Sequence, residues 1–161
     1  MLEIRPLAPD EWLTLRDIRL GALLDSPDTF LSTYKEERLF GDDHWRAEFD
    51  RGDWHVGFAE GEPVALLGVT RDSSTPADAC FLGYLWVAPG HRRRGVALRM
   101  IKVVLDRLPA DGVRTVLLWV LDGNDVAIRV YERAGFVRTN YSEVLEARPG
   151  RTEELLQLDL G

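Results

Sequence analysis

The hexapeptide Arg92-Arg93-Arg94-Gly95-Val96-Ala97 stands directly between an apolar run, Cys80 to Val87, and an amphipathic run, Leu98 to Leu108. That order predicts a strand, a tight basic turn and a helix start, with the helix covering Arg94 to Leu108 and closed by Pro109 and Gly112. The first amides of a helix lack intrahelical carbonyl partners, and the helix dipole adds partial positive charge at the same end. Such a turn is therefore suited to phosphate oxygens. Gly95 lets the backbone approach a ligand, small Ala97 keeps the second turn open, and the arginines add long-range attraction. The alternative is a solvated Arg-rich corner. The turn lacks a Gly-Lys-Ser/Thr ending and has only one glycine of G-x-G-x-x-G, so neither common nucleotide loop applies.

The rest of the chain alternates strand and helix signals without repeats or low-complexity linkers. Leu2 to Pro6 reads as an edge strand, and Pro9 to Leu24 as a helix with Trp12, Leu15, Ile18 and Leu23 on one stripe. Asp25 to Phe40 reads as irregular, and Asp42 to Phe49 as a short helix capped by Asp42 or Asp43. Trp54 to Glu60 and Pro63 to Arg71 flank Gly61-Glu62 as a hairpin. After the loop Asp72 to Asp78 come strand Cys80 to Val87, the basic turn and helix, strand Thr115 to Val120 and helix Asp125 to Ala134. Phe136 to Leu145 and Thr152 to Leu160 form a terminal hairpin. A right-handed crossover makes Cys80–Val87 and Thr115–Val120 parallel neighbours.

The spacing R-x-x-G-x-A resembles the acyl-CoA pyrophosphate loop of the GCN5-related N-acetyltransferases, written Q/R-x-x-G-x-G/A. Asn124, Ala127, Tyr131, Gly135 and Phe136 resemble the next helix and strand start of the same family, as N-x-x-A-x-x-x-Y-x-x-x-G-F. The two segments and the strand between them cover Cys80 to Phe136. Arg19 to Glu37 looks like the matching part of uncharacterised bacterial members and names no substrate.

The resemblance implies an α+β fold: one mixed, twisted sheet of six to seven strands with helices on both faces, and residues 1–161 as a single domain. It implies that the two parallel strands splay apart, so that pantetheine of acetyl-CoA pairs with the backbone of Leu85, Trp86 and Val87. The phosphates then fall to Arg92, Arg93, Arg94, Gly95, Val96 and Ala97. The implied reaction is direct acetyl transfer from acetyl-CoA to a primary amine of a small molecule, an amino acid, an antibiotic or a peptide, without a covalent enzyme intermediate. Tyr131 is the implied acid for the leaving thiolate, with a core tyrosine as the alternative. Asn124 either caps its helix only or also bonds pantetheine. Relatives often carry Glu near the positions of Tyr84 and Trp119, so the base is sought at Glu36, Glu37 or Asp122, with a solvated acidic face as the alternative. A non-catalytic acyl-CoA-binding or regulatory module is the competing function.

Composition narrows the partners. Twenty-seven acidic against 20 basic residues give a net charge of −7, which disfavours nucleic acid and anionic membranes and confines the basic cluster to one place. Asp25, Asp28, Glu36, Glu37, Asp42 and Asp43 make the segment after the first helix acidic and suited to a cationic acceptor. No stretch is apolar enough to span a bilayer, and a single cysteine, Cys80, forms no internal disulfide and reads as core. The chain is expected in the cytoplasm; homodimerisation is left open. His44 and His55 lack metal-ligand spacing, so no metal is expected. Trp45, Trp54, Trp86 and Trp119 read as core, or as walls of an acceptor pocket.

Overall fold

The computed structural model describes all 161 residues. Its seven-stranded sheet runs β1 (Leu2–Pro6), β2 (Gly52–Ala59), β3 (Glu62–Thr70), β4 (Ala79–Val87), β5 (Thr115–Leu121), β7 (Thr152–Asp159) and β6 (Val137–Val144). All neighbours are antiparallel except β4 and β5, the parallel pair joined through α4 (Val96–Arg107). That α+β layout is the expected one.

Strand period decides which side chain meets which layer. Val116, Leu118 and Val120 of β5 enter one core with Met100, Ile101 and Val104 of α4, Ile128 of α5 (Asp125–Arg133) and Leu156 of β7. The opposite face carries α1 (Trp12–Asp25) and α3 (Asp42–Asp50), where Leu15 and Ile18 pack on Trp54, Val56 and Leu66. Cys80 is fully buried, and burial pushes its thiol up to about 11, as suits a core residue.

Three local expectations are corrected. Helix α1 starts at Trp12 rather than Pro9, because the Glu11 carboxylate turns back to accept from the Ala8 amide at 2.8 Å and from Arg5 at 2.8 and 3.0 Å. Gly41, not an aspartate, occupies the N-cap of α3, and Asp42 and Asp43 lie in its first turn. The stretch read as irregular contains one helical turn, α2 (Tyr34–Glu37), whose N-cap Thr33 hydroxyl accepts from the Glu36 amide at 3.2 Å.

Candidate active site

Two interruptions of the sheet create the site. Gly68 of β3 pairs with Gly83 of β4, but Leu66 pairs with Trp86, so β4 carries one extra residue and bulges at Tyr84, whose φ is +62°. Gly68 is needed opposite the bulge, since a Cβ there would come within 2.6 Å of the Trp54 ring. The Tyr84 ring stands edge-on to that indole at a centroid distance of 4.9 Å. The second interruption is the end of the parallel ladder: β4 and β5 pair from Ala79↔Thr115 only as far as Leu82↔Leu118. Beyond it, Leu85, Trp86 and Val87 have no ladder partner in β5, in keeping with the expected splay.

A cavity of about 570 Å³ opens at that split. Leu85, Trp119, Leu121, Asn124 and Tyr131 line it. Asn124 caps α5, its Oδ1 accepting from the Ala127 amide at 3.3 Å. Tyr131 packs on the main core with its ring 6.1 Å from that of Phe136, and its hydroxyl has no partner in the protein. Burial pushes this phenol up to about 12, so it holds its proton at neutral pH.

The basic turn presents its backbone as the sequence suggests. Gly95 caps α4 at φ +74°, Arg99 donates the first helical bond to the Gly95 carbonyl, and the amides of Val96, Ala97 and Leu98 have no acceptor in the protein. A Cβ on Gly95 would meet nothing within 4 Å, so the φ angle, rather than crowding, calls for glycine here. Arg93 and Arg94 are exposed. Arg92 is not a free anion receptor: its Nε donates to the Val87 carbonyl at 2.8 Å and Nη2 pairs with Asp25 at 2.5 Å. Trp86 Nε1 donates to the same Asp25 carboxylate at 3.0 Å, so these residues strap the turn to the end of α1.

The three acids suggested as base have different surroundings. Glu36 is exposed and does not line the cavity. Glu37 lines it, but both carboxylate oxygens accept from Arg19, at 3.1 and 3.0 Å, so neither is free for an incoming amine. Asp122 accepts from the Thr152 amide at 3.0 Å and from Arg151 at 2.5 Å, which holds its carboxyl below the usual range. Sequence reasoning missed Glu48, Arg51 and Glu153, all of which line the cavity. Glu48 is engaged by Tyr84 at 3.1 Å and Arg51 at 3.2 Å. Only the alternation of the last strand, which sends Leu156 into the core, signalled that Glu153 faces the other way.

The sequence profile of the Acetyltransferase (GNAT) family matches residues 15–136, which contain the bulge, the split, the basic turn and α5. The chain belongs to the GNAT acetyltransferase family. As a GNAT protein it is 29% identical over 128 residues to the N-alpha-acetyltransferase RimI of Mycobacterium tuberculosis, covering 75% of this chain and 79% of that one. It is 32% identical over 104 residues to mycothiol acetyltransferase of Sanguibacter keddieii, covering 63% of this chain. It spans only 33% of that longer relative. The GNAT fold recurs in an acetyltransferase of Streptococcus pneumoniae, at TM-score 0.81, 17% identity and full coverage of both chains. It recurs also in the yncA protein of Salmonella typhimurium, solved with its cofactor acetyl-CoA, at TM-score 0.79 and 16% identity over 100% of this chain and 95% of that one.

Proposed function

We propose that this GNAT protein transfers an acetyl group from acetyl-CoA directly to a primary amine. One observation carries the reading: the split after Leu82↔Leu118 leaves unpaired strand backbone beside Asn124 and Tyr131, at the mouth of a cavity reaching the α1 face. The residues present fit acetyl-CoA. Three unpaired amides at the start of α4, an open space around Gly95 and exposed Arg93 and Arg94 suit its phosphates. Leu85 and Trp86 offer strand backbone to the amides of its pantetheine arm, and the Asn124 side-chain nitrogen remains free to add a bond.

When bound, acetyl-CoA supplies an activated acetyl group as a thioester. The protein's part is then to hold, polarise and protonate. The bulge at Tyr84 lies just past the last β4–β5 pair, and a β4 peptide N–H freed there stabilises negative charge developing on a carbonyl oxygen. Tyr131, kept protonated by burial, donates its proton to the departing sulfur. No cysteine nucleophile is required, in keeping with the buried thiol of Cys80. The acceptor lies on the α1 side of the sheet, between α2 and the terminal hairpin, as a small molecule, amino acid, antibiotic or peptide amine.

Release of free thiol from acetyl-CoA across a panel of primary amines tests this reading. Amine-dependent release supports transfer. Tight acetyl-CoA binding without release on any amine supports a non-catalytic acyl-CoA-binding module instead.

A further inference from the structure

A base for the acceptor amine is missing from the residues the sequence suggests, and the cavity contains one group able to act as one. Its acids are Glu37, Glu48, Asp72 and Glu153. Glu37 is taken by Arg19, and Glu48 by Tyr84 and Arg51. Asp72 accepts from the Ser74 amide and hydroxyl at 2.8 and 2.6 Å and from the Thr75 hydroxyl at 3.1 Å, all on Oδ1, and these bonds lower its pKa and make it a weaker base. Glu153 alone among them has neither a hydrogen bond nor an ion pair from its carboxylate. Tyr84 cannot substitute, because burial and Glu48 push its phenol up to about 12 and it already donates to that glutamate.

Placement agrees with this elimination. On β7, Leu156 and Leu158 turn toward α4 and α5, so Glu153 projects to the opposite face. Register puts Glu153 beside Leu121 and Leu155 beside Trp119, on the β5 segment that has parted from β4. Neighbouring Glu154 points the other way, 3.8 Å from Arg138, and does not line the cavity. Trp119 and Tyr141, with ring centroids 6.0 Å apart, add aromatic surface suited to a cation near the hairpin.

Resting on the acetyltransferase reading above, we infer that Glu153 receives the protonated acceptor amine and takes its proton. An N–H bond of the ammonium breaks with its electron pair left on nitrogen, and an O–H bond forms on the Glu153 carboxylate. The freed lone pair makes the new C–N bond as the C–S bond breaks, with the sulfur protonated by Tyr131. The second proton shed by nitrogen restores the Tyr131 phenol, so one proton per turnover leaves Glu153 for water. Desolvation and the facing charge of Glu143 raise the Glu153 pKa, which makes it a stronger base than a solvated glutamate. Glu143, opposite on β6, is itself bonded by the Tyr141 hydroxyl at 3.0 Å. The other titratable groups at the cavity are Tyr131, the pairs Arg19–Glu37 and Arg51–Glu48 with Tyr84, and Arg71 and Asp72; the Arg151–Asp122 pair sits beside the strand end.

The test combines Glu153→Gln kinetics with carbon-13 NMR titration of the wild-type Glu153 carboxyl, read without any substrate. Thermal melting and acetyl-CoA affinity confirm that the variant is folded and loads its donor. The expected result is at least a hundredfold loss of amine kcat/KM at pH 7. That loss should shrink steadily as pH approaches the amine's own pKa of about 10, where the acceptor deprotonates unaided. Glu153→Asp should retain part of the activity. Wild-type kcat/KM in the Gln variant, or an equal loss at every pH, overturns the assignment. Should the wild-type protein acetylate no amine, the transferase reading fails. The base role then falls with it, whereas in a protein that does acetylate amines an unperturbed Glu153 midpoint overturns the assignment alone, and a midpoint above that of an ordinary glutamate supports it.

Discussion

Arg19 of α1 and Glu37 of α2 form a two-bond ion pair, at 3.1 and 3.0 Å, with side chains only 9% and 10% exposed. The Arg19 guanidinium also lies over the Phe30 ring at 4.8 Å and the Tyr84 ring at 4.7 Å. One cation therefore ties the first helix, the α2 turn and the β4 bulge into one wall of the cavity. The pair occupies both oxygens of the one buried carboxylate in the expected segment.

Breaking the pair from one side strands a buried charge. Arg19→Met should lower stability by about 3–5 kcal/mol in urea denaturation and raise the acceptor KM, because the Tyr84 wall loosens. Removing both charges as Arg19→Met with Glu37→Leu should recover much of that loss. A single variant as stable as wild type would show that the pair is not desolvated.

Tyr131→Phe keeps the ring packed on the core and removes a hydroxyl that has no partner in the protein. Turnover should fall roughly ten- to a thousandfold, with unchanged acetyl-CoA affinity and an almost unchanged melting temperature. Since the phenol lies at about 12, no alkaline loss of activity from this group is expected below about pH 11. Full turnover in a folded variant would assign Tyr131 to packing.

Gly95→Glu forces a side chain into a backbone at φ +74° and sets a negative charge against the anion site. Acetyl-CoA affinity, read by calorimetry, should fall at least about tenfold. Gly95→Ala separates the causes: nothing lies within 4 Å of the new methyl, so only backbone strain of about 1 kcal/mol is added and most affinity should remain. Equal affinities in all three proteins would move the phosphates elsewhere.

Sequence order and spacing revealed the sheet, the crossover and the basic turn at the start of α4 because each is written locally: apolar runs, one glycine, a capping Asn124. The bulge at Tyr84 was illegible, since a non-glycine residue at positive φ leaves no mark in composition. Helix α2 spans only Tyr34–Glu37, too short to show a period. Arg92 read as free charge because its partner Asp25 is 67 positions away. Glu153 was hidden for a like reason: its place follows from the pairing of β7 with β5, which sets it opposite Leu121 in the cavity that Trp119 and Tyr131 also line.

His55 is buried under α4, with Arg107 Nη1 3.3 Å from its Nε2, and both burial and that cation lower its pKa. A histidine depressed in the folded state binds its proton more readily when unfolded. Its stabilising contribution is complete above the unfolded value of about 6.5 and declines as pH falls below it toward the folded value. Stability measured from pH 8 to pH 5 should fall in wild type and flatten in His55→Gln. Parallel curves would place the acid sensitivity in the carboxylates.

On the proposed function, the split between β4 and β5 delivers an acetyl group to an amine. Simultaneous measurement of thiol release and acetylated amine, with acetyl-CoA and a panel of primary amines, tests it most directly. The predicted result is amine-dependent release with one acetylated amine formed per thiol, reduced together by Gly95→Glu and by Tyr131→Phe. Acetyl-CoA that binds at the α4 start yet yields no acetylated amine with any member of the panel would contradict it.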